Sequence, residues 1–260
     1  MRILSFVFET SLAFSEPVTD HSFVLRCLPK DSATQKVLSA NLHTNPRVAL
    51  DEQVDGFGNL LRLGYCPSAH DAFDFFATGL VMIDRTASDQ AEPAQALYLQ
   101  PSAYTQPSDA MRAFAREVDG APRGVDAWAR ALALMNAVYR AFEYAPGTTD
   151  TATRAAEAFD LKRGVCQDFS HVLIALCRAQ GIYARYANGL MEGEGATHAW
   201  VEVHDGLCWR GLDPTHNRPV DDAYLQFSTG RDFSDCPIER GVFRGDAQQK
   251  QTVNATVGFE

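Results

Sequence analysis

Three side chains in this sequence are of the types that together activate a sulfur nucleophile: Cys166, His198 and Asp213. Cys166 follows Arg163-Gly164-Val165 and opens a segment, 165–180, with Phe169, Val172, Leu173, Leu176 and Cys177 at helical spacing. Gly181 stands where such a helix stops. A thiol in the first turn faces the unpaired N–H groups and the positive end of the helix dipole, and both favour the thiolate that attacks carbon. Cys177 lies on the apolar face of the same helix and reads as a small core residue. The imidazole and the carboxylate come from a hairpin. Two β runs, 198–204 and 207–213, flank Asp205-Gly206, a two-residue turn signal. With that turn His198 stands opposite Asp213, and opposed residues share a face with Cβ atoms about 5 Å apart. A slip of one residue would undo this by swapping faces. A carboxylate that orients a histidine, which activates a thiol, is the general arrangement of nucleophilic acyl transfer.

The elements that must position these groups follow from periodicity. Residues 1 to about 105 read as β: runs such as 22–28, 47–50 and 79–83 alternate with turn signals at Leu28-Pro29-Lys30-Asp31, Asn45-Pro46 and Asp55-Gly56-Phe57-Gly58-Asn59. Short strands at that spacing suggest a β-sandwich-like domain. The opening MRILSFVFETSLAF reads as an edge of that sheet, from the partial alternation of Ile3, Phe6, Phe8, Leu12 and Phe14. A connection over 100–125, with a short helix near 108–117, leads to a helix at 125–142, a short one near 153–159 and then the cysteine-bearing helix. Strands follow from 183, with a last one at 251–259. The expected division is 1–105 as a β-rich domain and 106–260 as an α+β core with a C-terminal tail.

The chain has 260 residues, 46% hydrophobic and 22% charged, an ordinary globular composition. Its formal net charge of −10 argues against nucleic acid or an anionic membrane as a partner. Six cysteines form no CxxC pair, so they read as free thiols of a reducing, cytoplasmic compartment rather than zinc ligands. The N-terminus has a single arginine, a glutamate at position 9 and no small-residue cleavage site, unlike a signal peptide. No run reaches the roughly 18 uncharged apolar residues of a membrane span.

Four motifs closely resemble the core of the bacterial transglutaminase-like superfamily: Gly164-Val165-Cys166-Gln167-Asp168-Phe169-Ser170-His171, Gly181-Ile182-Tyr183-Ala184-Arg185-Tyr186, His198-Ala199-Trp200-Val201-Glu202-Val203 and Trp209-Arg210-Gly211-Leu212-Asp213-Pro214-Thr215. The segment Gly230-Arg231-Asp232-Phe233-Ser234-Asp235 is similar too. Residues 1–85 resemble the β-rich region that precedes this core, through Phe14-Ser15-Glu16-Pro17-Val18 and Asp55-Gly56-Phe57-Gly58-Asn59. The resemblance implies a papain-like transglutaminase core, its nucleophile helix packed on an antiparallel sheet, and a Cys166-His198-Asp213 triad. It implies acyl transfer through a thioester, with no cofactor or metal. The substrate would be a peptide or protein amide, with hydrolysis expected ahead of amine crosslinking or of a non-catalytic peptide-binding role. The oxyanion candidates are the backbone N–H of Cys166, the Tyr144 hydroxyl and Gln167. Asp168, Trp200, Asn217, Arg231 and Asp232 are expected to line the cleft or brace it. Asp168 and His171, at i and i+3, are expected to pair. The stretch Met191-Glu192-Gly193-Glu194-Gly195 suggests a mobile acidic rim that favours basic substrates.

Overall fold

The computed structural model describes residues 1–85, 92–119 and 126–260. The Gly120, Pro122 and Gly124 of the expected connection, and the Val125 start of the second helix, lie outside them. In chain order the elements are β1 (Arg2–Leu25), β2 (Gln35–Asn45), β3 (Leu50–Val54), β4 (Leu60–Cys66) and β5 (His70–Ile83), then α1 (Asp109–Asp119), α2 (Ala127–Ala141), β6 (Glu143–Tyr144), α3 (Ala155–Leu161), β7 (Arg163–Gly164) and α4 (Cys166–Ala179). They continue with β8 (Ala184–Met191), β9 (Gly193–Gly195), β10 (His198–His204), β11 (Trp209–Asp213), β12 (Arg218–Pro219), β13 (Tyr224–Gly230), β14 (Glu239–Arg244) and β15 (Gln249–Phe259).

Alternation builds β1. Leu4, Phe6, Phe8, Thr10, Leu12 and Phe14 are buried at every second position, the pattern of a strand with one covered face. β1 is not the edge expected from the sequence. Its first half lies between β5 and β15, and its second half between β4 and β14. The pairing breaks between Ala13 and Val18, so one strand serves two walls of a curled antiparallel sheet. Residues 239–259 thus return to the N-terminal sheet as two strands, and β9 joins the same sheet against β15.

The second sheet is antiparallel, in the order β12-β11-β10-β8-β13, and carries α4. That helix is buried all round from Asp168 to Arg178, not along one stripe. The reason is that α1, α2 and α3 pack on the sides that β8 and β10 leave open, and a helix covered on every side needs no polar face. Gly181 ends it with φ +73°, a left-handed conformation that glycine adopts without cost.

The two sheets are fastened through β13. Phe227 meets the rings of Phe6 and Phe8 at 5.9 and 5.7 Å, and each such buried ring contributes about 1.5–3 kcal/mol. The Gln35 side chain bonds both the N–H and the C=O of Gln226 at 2.9 Å. Asn59 does the same to Thr229 at 2.8 and 2.7 Å. Asn59 is aimed by Asp55, whose Oδ1 accepts the N–H groups of Phe57 and Asn59. Among the described residues no helix is long and apolar enough to cross a membrane.

Candidate active site

Cys166 is the first residue of α4 and half-buried at the wall of a cleft of about 350 Å³. The turn that delivers it is closely specified. Asp168 Oδ2 accepts the Val165 N–H at 2.8 Å and the Thr149 hydroxyl at 2.7 Å, which pins the chain entering the helix. Burial raises the Asp168 carboxyl pKa, against those two bonds. A Cβ at Gly164 would overlap that carboxylate, so the position needs glycine. β6 and β7 pair in parallel, with Tyr144 beside Gly164, and so carry Tyr144 to the rim next to the thiol. As the first helical residue, Cys166 has an N–H without a partner inside the helix.

The hairpin that supplies the imidazole and the carboxylate differs from the two-residue turn. Asp205 Oδ1 accepts the N–H groups of Leu207 and Cys208 at 2.8 and 2.9 Å, and the Asp205 N–H bonds Cys208 O at 3.1 Å. The side chain thereby closes a longer loop, and His204 pairs with Trp209 instead of Leu207. The partner shifts by two residues, which preserves the face. Continued, this register sets Asp213 across from Trp200, and Asp213 reaches His198 diagonally: Nε2 to Oδ2 is 2.8 Å.

Asp213 is fully buried. Its Oδ2 also accepts from His216 Nδ1 at 2.7 Å and from the Tyr224 hydroxyl at 2.7 Å, and its Oδ1 accepts the N–H groups of Thr215 and His216. Arg218 Nε in turn donates to the Tyr224 oxygen at 3.0 Å. Burial pushes this carboxyl up, but the His198, Tyr224 and His216 donors prevail and hold it well below the usual carboxylate range. For His198, burial lowers the imidazole pKa; hydrogen bonds to Asp213 and Cys166 and their charges outweigh it, giving about 9. Nε2 is spent on Asp213, so Nδ1 is the nitrogen left for the thiol. The ligand atoms of His198, Asp213 and His216 lie within 4.8 Å of one another, close enough to bracket a metal ion. Oδ2 already takes three hydrogen-bond donors, however, so an ion there would have to displace protons that satisfy it.

The remaining candidates divide. Tyr144 and Gln167 line the cleft. Burial, then the charge of Cys166, raises the Tyr144 pKa; Gln167 Nε2 is turned to Thr151 O at 3.3 Å. Trp200 is outside the cleft, fully buried beneath His198 with ring centroids 6.4 Å apart, and edge-on to Tyr224 at 5.5 Å. Asn217, at φ +53°, donates to Asn136 of α2 and ties the loop after Asp213 to that helix. Arg231 does not face the cleft; it is exposed and forks onto Asp235 at 2.8 Å. Asp232 is buried away from it, capping the turn Phe233–Asp235 through Ser234. Asp168 and His171 do not pair, because each serves a backbone N–H: His171 Nε2 accepts from Phe233 at 3.1 Å. Burial lowers the His171 pKa to about 4. His171 and Asp232 thus fix Phe233, which does line the cleft. The acidic rim is not a free loop: its glycines bracket β9, paired with β15, while Glu192 and Glu194 stay exposed.

Sequence reasoning misses His216 and Tyr224. His216 has a signal, three residues past Asp213 in Asp213-Pro214-Thr215-His216; Tyr224 has none, since only the fold of β13 brings it in. A second cavity, of about 420 Å³, is lined by Arg85, Arg185, Glu202 and Trp209 and contains none of the three residues.

A transglutaminase-like superfamily core model matches residues 112–214, and a bacterial transglutaminase-like N-terminal region model matches residues 4–82. The chain belongs to the transglutaminase-like superfamily. An uncharacterized protein of Mycobacterium tuberculosis is 28% identical over 273 residues, spanning 90% of this chain and 85% of its own. Another from Mycobacterium leprae is 24% identical over 267 residues, 92% of each. A solved structure from Cytophaga hutchinsonii, described as a candidate cysteine protease, has a TM-score of 0.79 at 24% identity, over 99% of this chain and 91% of its own. At that identity the likeness is one of fold. The transglutaminase-like core contains Cys166, His198 and Asp213, and the N-terminal region supplies β1, whose Phe8 and Thr10 form part of the cleft wall.

Proposed function

We propose that the protein is a cysteine hydrolase that cleaves peptide or amide bonds through a thioester on Cys166. The observation that carries this reading is the His198 side chain, which shares the cleft with Cys166 and lies 2.8 Å from the buried Asp213. With a pKa of about 9 the imidazole is protonated at neutral pH, the form that stabilises a neighbouring thiolate.

The thiolate adds to the carbonyl carbon. Negative charge on the oxygen is met by the Cys166 N–H and the Tyr144 hydroxyl. His198 gives its Nδ1 proton to the departing nitrogen, the C–N bond breaks and the thioester remains. Water then loses a proton to His198 and attacks the thioester, releasing the carboxylic acid and restoring the thiol. Asp213 keeps Nε2 protonated and the ring in place throughout. Its four further donors, from Thr215, His216 and Tyr224, keep it ionised and aimed. No cofactor enters these steps. Six cysteines that form no disulfide favour a cytoplasmic setting.

The test is the iodoacetamide alkylation rate of each cysteine against pH, read by peptide mass spectrometry, in the wild type and in His198→Ala. Cys166 should react fast well below the ordinary thiol pKa of about 8.5 and lose that advantage in the variant. Alkylation of Cys166 no faster than the other five thiols would sink the reading. With a reactive thiol established, released amine without incorporation of an added primary amine separates hydrolysis from crosslinking.

A further inference from the structure

The cleft does not end at the catalytic core. Beyond Cys166 it runs onto the curled sheet, over a wall made by Phe8 and Thr10 of β1 and Gln251 and Val253 of the paired β15, and its lining includes Glu239 at the start of β14. The ionisable groups of this lining are Tyr144, Cys166, Tyr186, His198 and Glu239, and Glu239 is its one carboxylate.

Glu239 is unusual in its surroundings. It pairs across the sheet with Leu25, which is buried, so its side chain is turned into the sheet's interior. Room is made by Gly241, two residues along: a Cβ there would press on both Glu239 Oε1 and His21 Nε2. Among the described residues no arginine or lysine answers the Glu239 carboxylate and no hydrogen bond satisfies it; burial alone acts on it and raises its pKa. On the same wall Thr10, 1% exposed, leaves its hydroxyl without a partner. A half-buried carboxylate without a cationic partner costs stability, and so does a buried unbonded hydroxyl. Two such groups facing one cavity are the polar pattern of a binding site waiting for a donor.

We infer that Glu239, with Thr10, is the specificity determinant of the cleft and receives a cationic group of the substrate, the ammonium or guanidinium of a basic side chain. The inference rests on the hydrolase reading for the identity of the cleft as a substrate site. An ammonium meets Glu239 where water is scarce, so the attraction is far stronger than at an open surface. The hydrocarbon stem of the basic residue passes Phe8, Ile238 and Val253. Glu192 and Glu194, exposed on either side of Gly193 shortly before His198, add negative potential at the entrance.

The experiment uses Cys166→Ala, which cannot turn over, and blocked alanine hexapeptides carrying one lysine at each position in turn, each matched with norleucine. Equilibrium binding should favour lysine over norleucine tenfold or more at one position, and Cys166→Ala/Glu239→Gln should abolish that preference. Wild type and Glu239→Gln should alkylate with iodoacetamide at equal rates, a check that the variant folds with its thiol intact. Equal affinity for lysine and norleucine, a preference that survives Glu239→Gln, or no binding by any peptide overturns the inference. Ordinary alkylation of Cys166 in the wild type overturns the hydrolase reading instead, while the binding comparison still decides the role of Glu239.

Discussion

The molecule holds two cysteine–histidine constellations, and they are opposites. In the N-terminal sheet Cys66 Sγ lies 3.7 Å from His70 Nδ1, and His70 Nε2 lies 3.2 Å from His21 Nδ1. The two imidazoles stack 5.4 Å apart, edge-on to Phe14 and beside Phe73. In the cleft the corresponding groups are Cys166, His198 and Asp213. The first difference is the proton. His70 Nδ1 is 2.9 Å from the carbonyl of Ser68, which can only accept, so the nitrogen facing Cys66 already carries a hydrogen and cannot take another. In the cleft Asp213 claims the proton on Nε2 and leaves Nδ1 to the thiol. The second difference is charge. Burial, then His70, lowers the His21 pKa to about 4, so the N-terminal histidine is neutral where His198 is charged. Proximity of thiol and imidazole is common to both; a buried carboxylate and a helix start belong to one.

The largest effect that tests this contrast is removal of each thiol. Cys166→Ala should lower kcat for amide hydrolysis about 10⁶-fold, while Cys66→Ala, compared as folded protein, should leave it within about twofold. A comparable loss from both would break the distinction. Next comes the carboxylate. Asp213→Asn keeps the shape but not the charge, and should cost about 10⁴-fold in kcat, with Cys166 alkylation at pH 6 falling to the rate of an ordinary thiol. In the wild type, hydrolysis should decline as pH rises through about 9, because the protonated His198 that serves the leaving nitrogen is present below that value and lost above it.

Tyr224→Phe should lower kcat about tenfold, the cost of one charge-assisted hydrogen bond of about 1.5 kcal/mol, and should shift the alkaline limb upward because Asp213 loses a donor and its charge acts more fully on His198. A pH profile that does not move would leave Tyr224 a packing residue only. The smallest effect is on stability. The folded pKa of His21 is depressed, so its contribution is fully present above the unfolded value of about 6.5 and is lost as pH falls toward 4, where the unfolded chain binds the extra proton. The melting temperature should therefore drop between pH 6.5 and 4, and His21→Phe should flatten that drop. His171 contributes to the same limb and retains part of it.

Local chemistry was legible in the sequence and long-range pairing was not. The α4 helix, its Gly181 stop and the face shared by His198 and Asp213 all follow from spacing. The register was two residues off because Asp205 caps the loop with its own side chain, which a turn dipeptide does not reveal. It survived because side chains repeat every two residues. Alternation shows that β1 has one covered face but not how many neighbours it pairs with, and β14 and β15 lie at the far end of the sequence. Of Arg231 and Asp232, expected to line the cleft or brace it, neither lines it; Asp232 holds the turn that presents Phe233, and Arg231 turns to Asp235. Glu239 gave no signal at all, since a glutamate in a polar stretch looks solvated until β14 turns it inward.

The return of β15 to β1 also sets an order of events during synthesis. The helix that carries the nucleophile and the hairpin that carries its base are complete once residue 213 has emerged. The wall formed by Gln251 and Val253, and the strand that anchors β9 ahead of His198, come only with β15, about 40 residues later. On the hydrolase reading, a polypeptide that stops before β15 would carry the thiol without one wall of the cleft. On that reading, pairing of β15 with β1 is the step that gives a reactive sulfhydryl the wall against which a substrate is chosen.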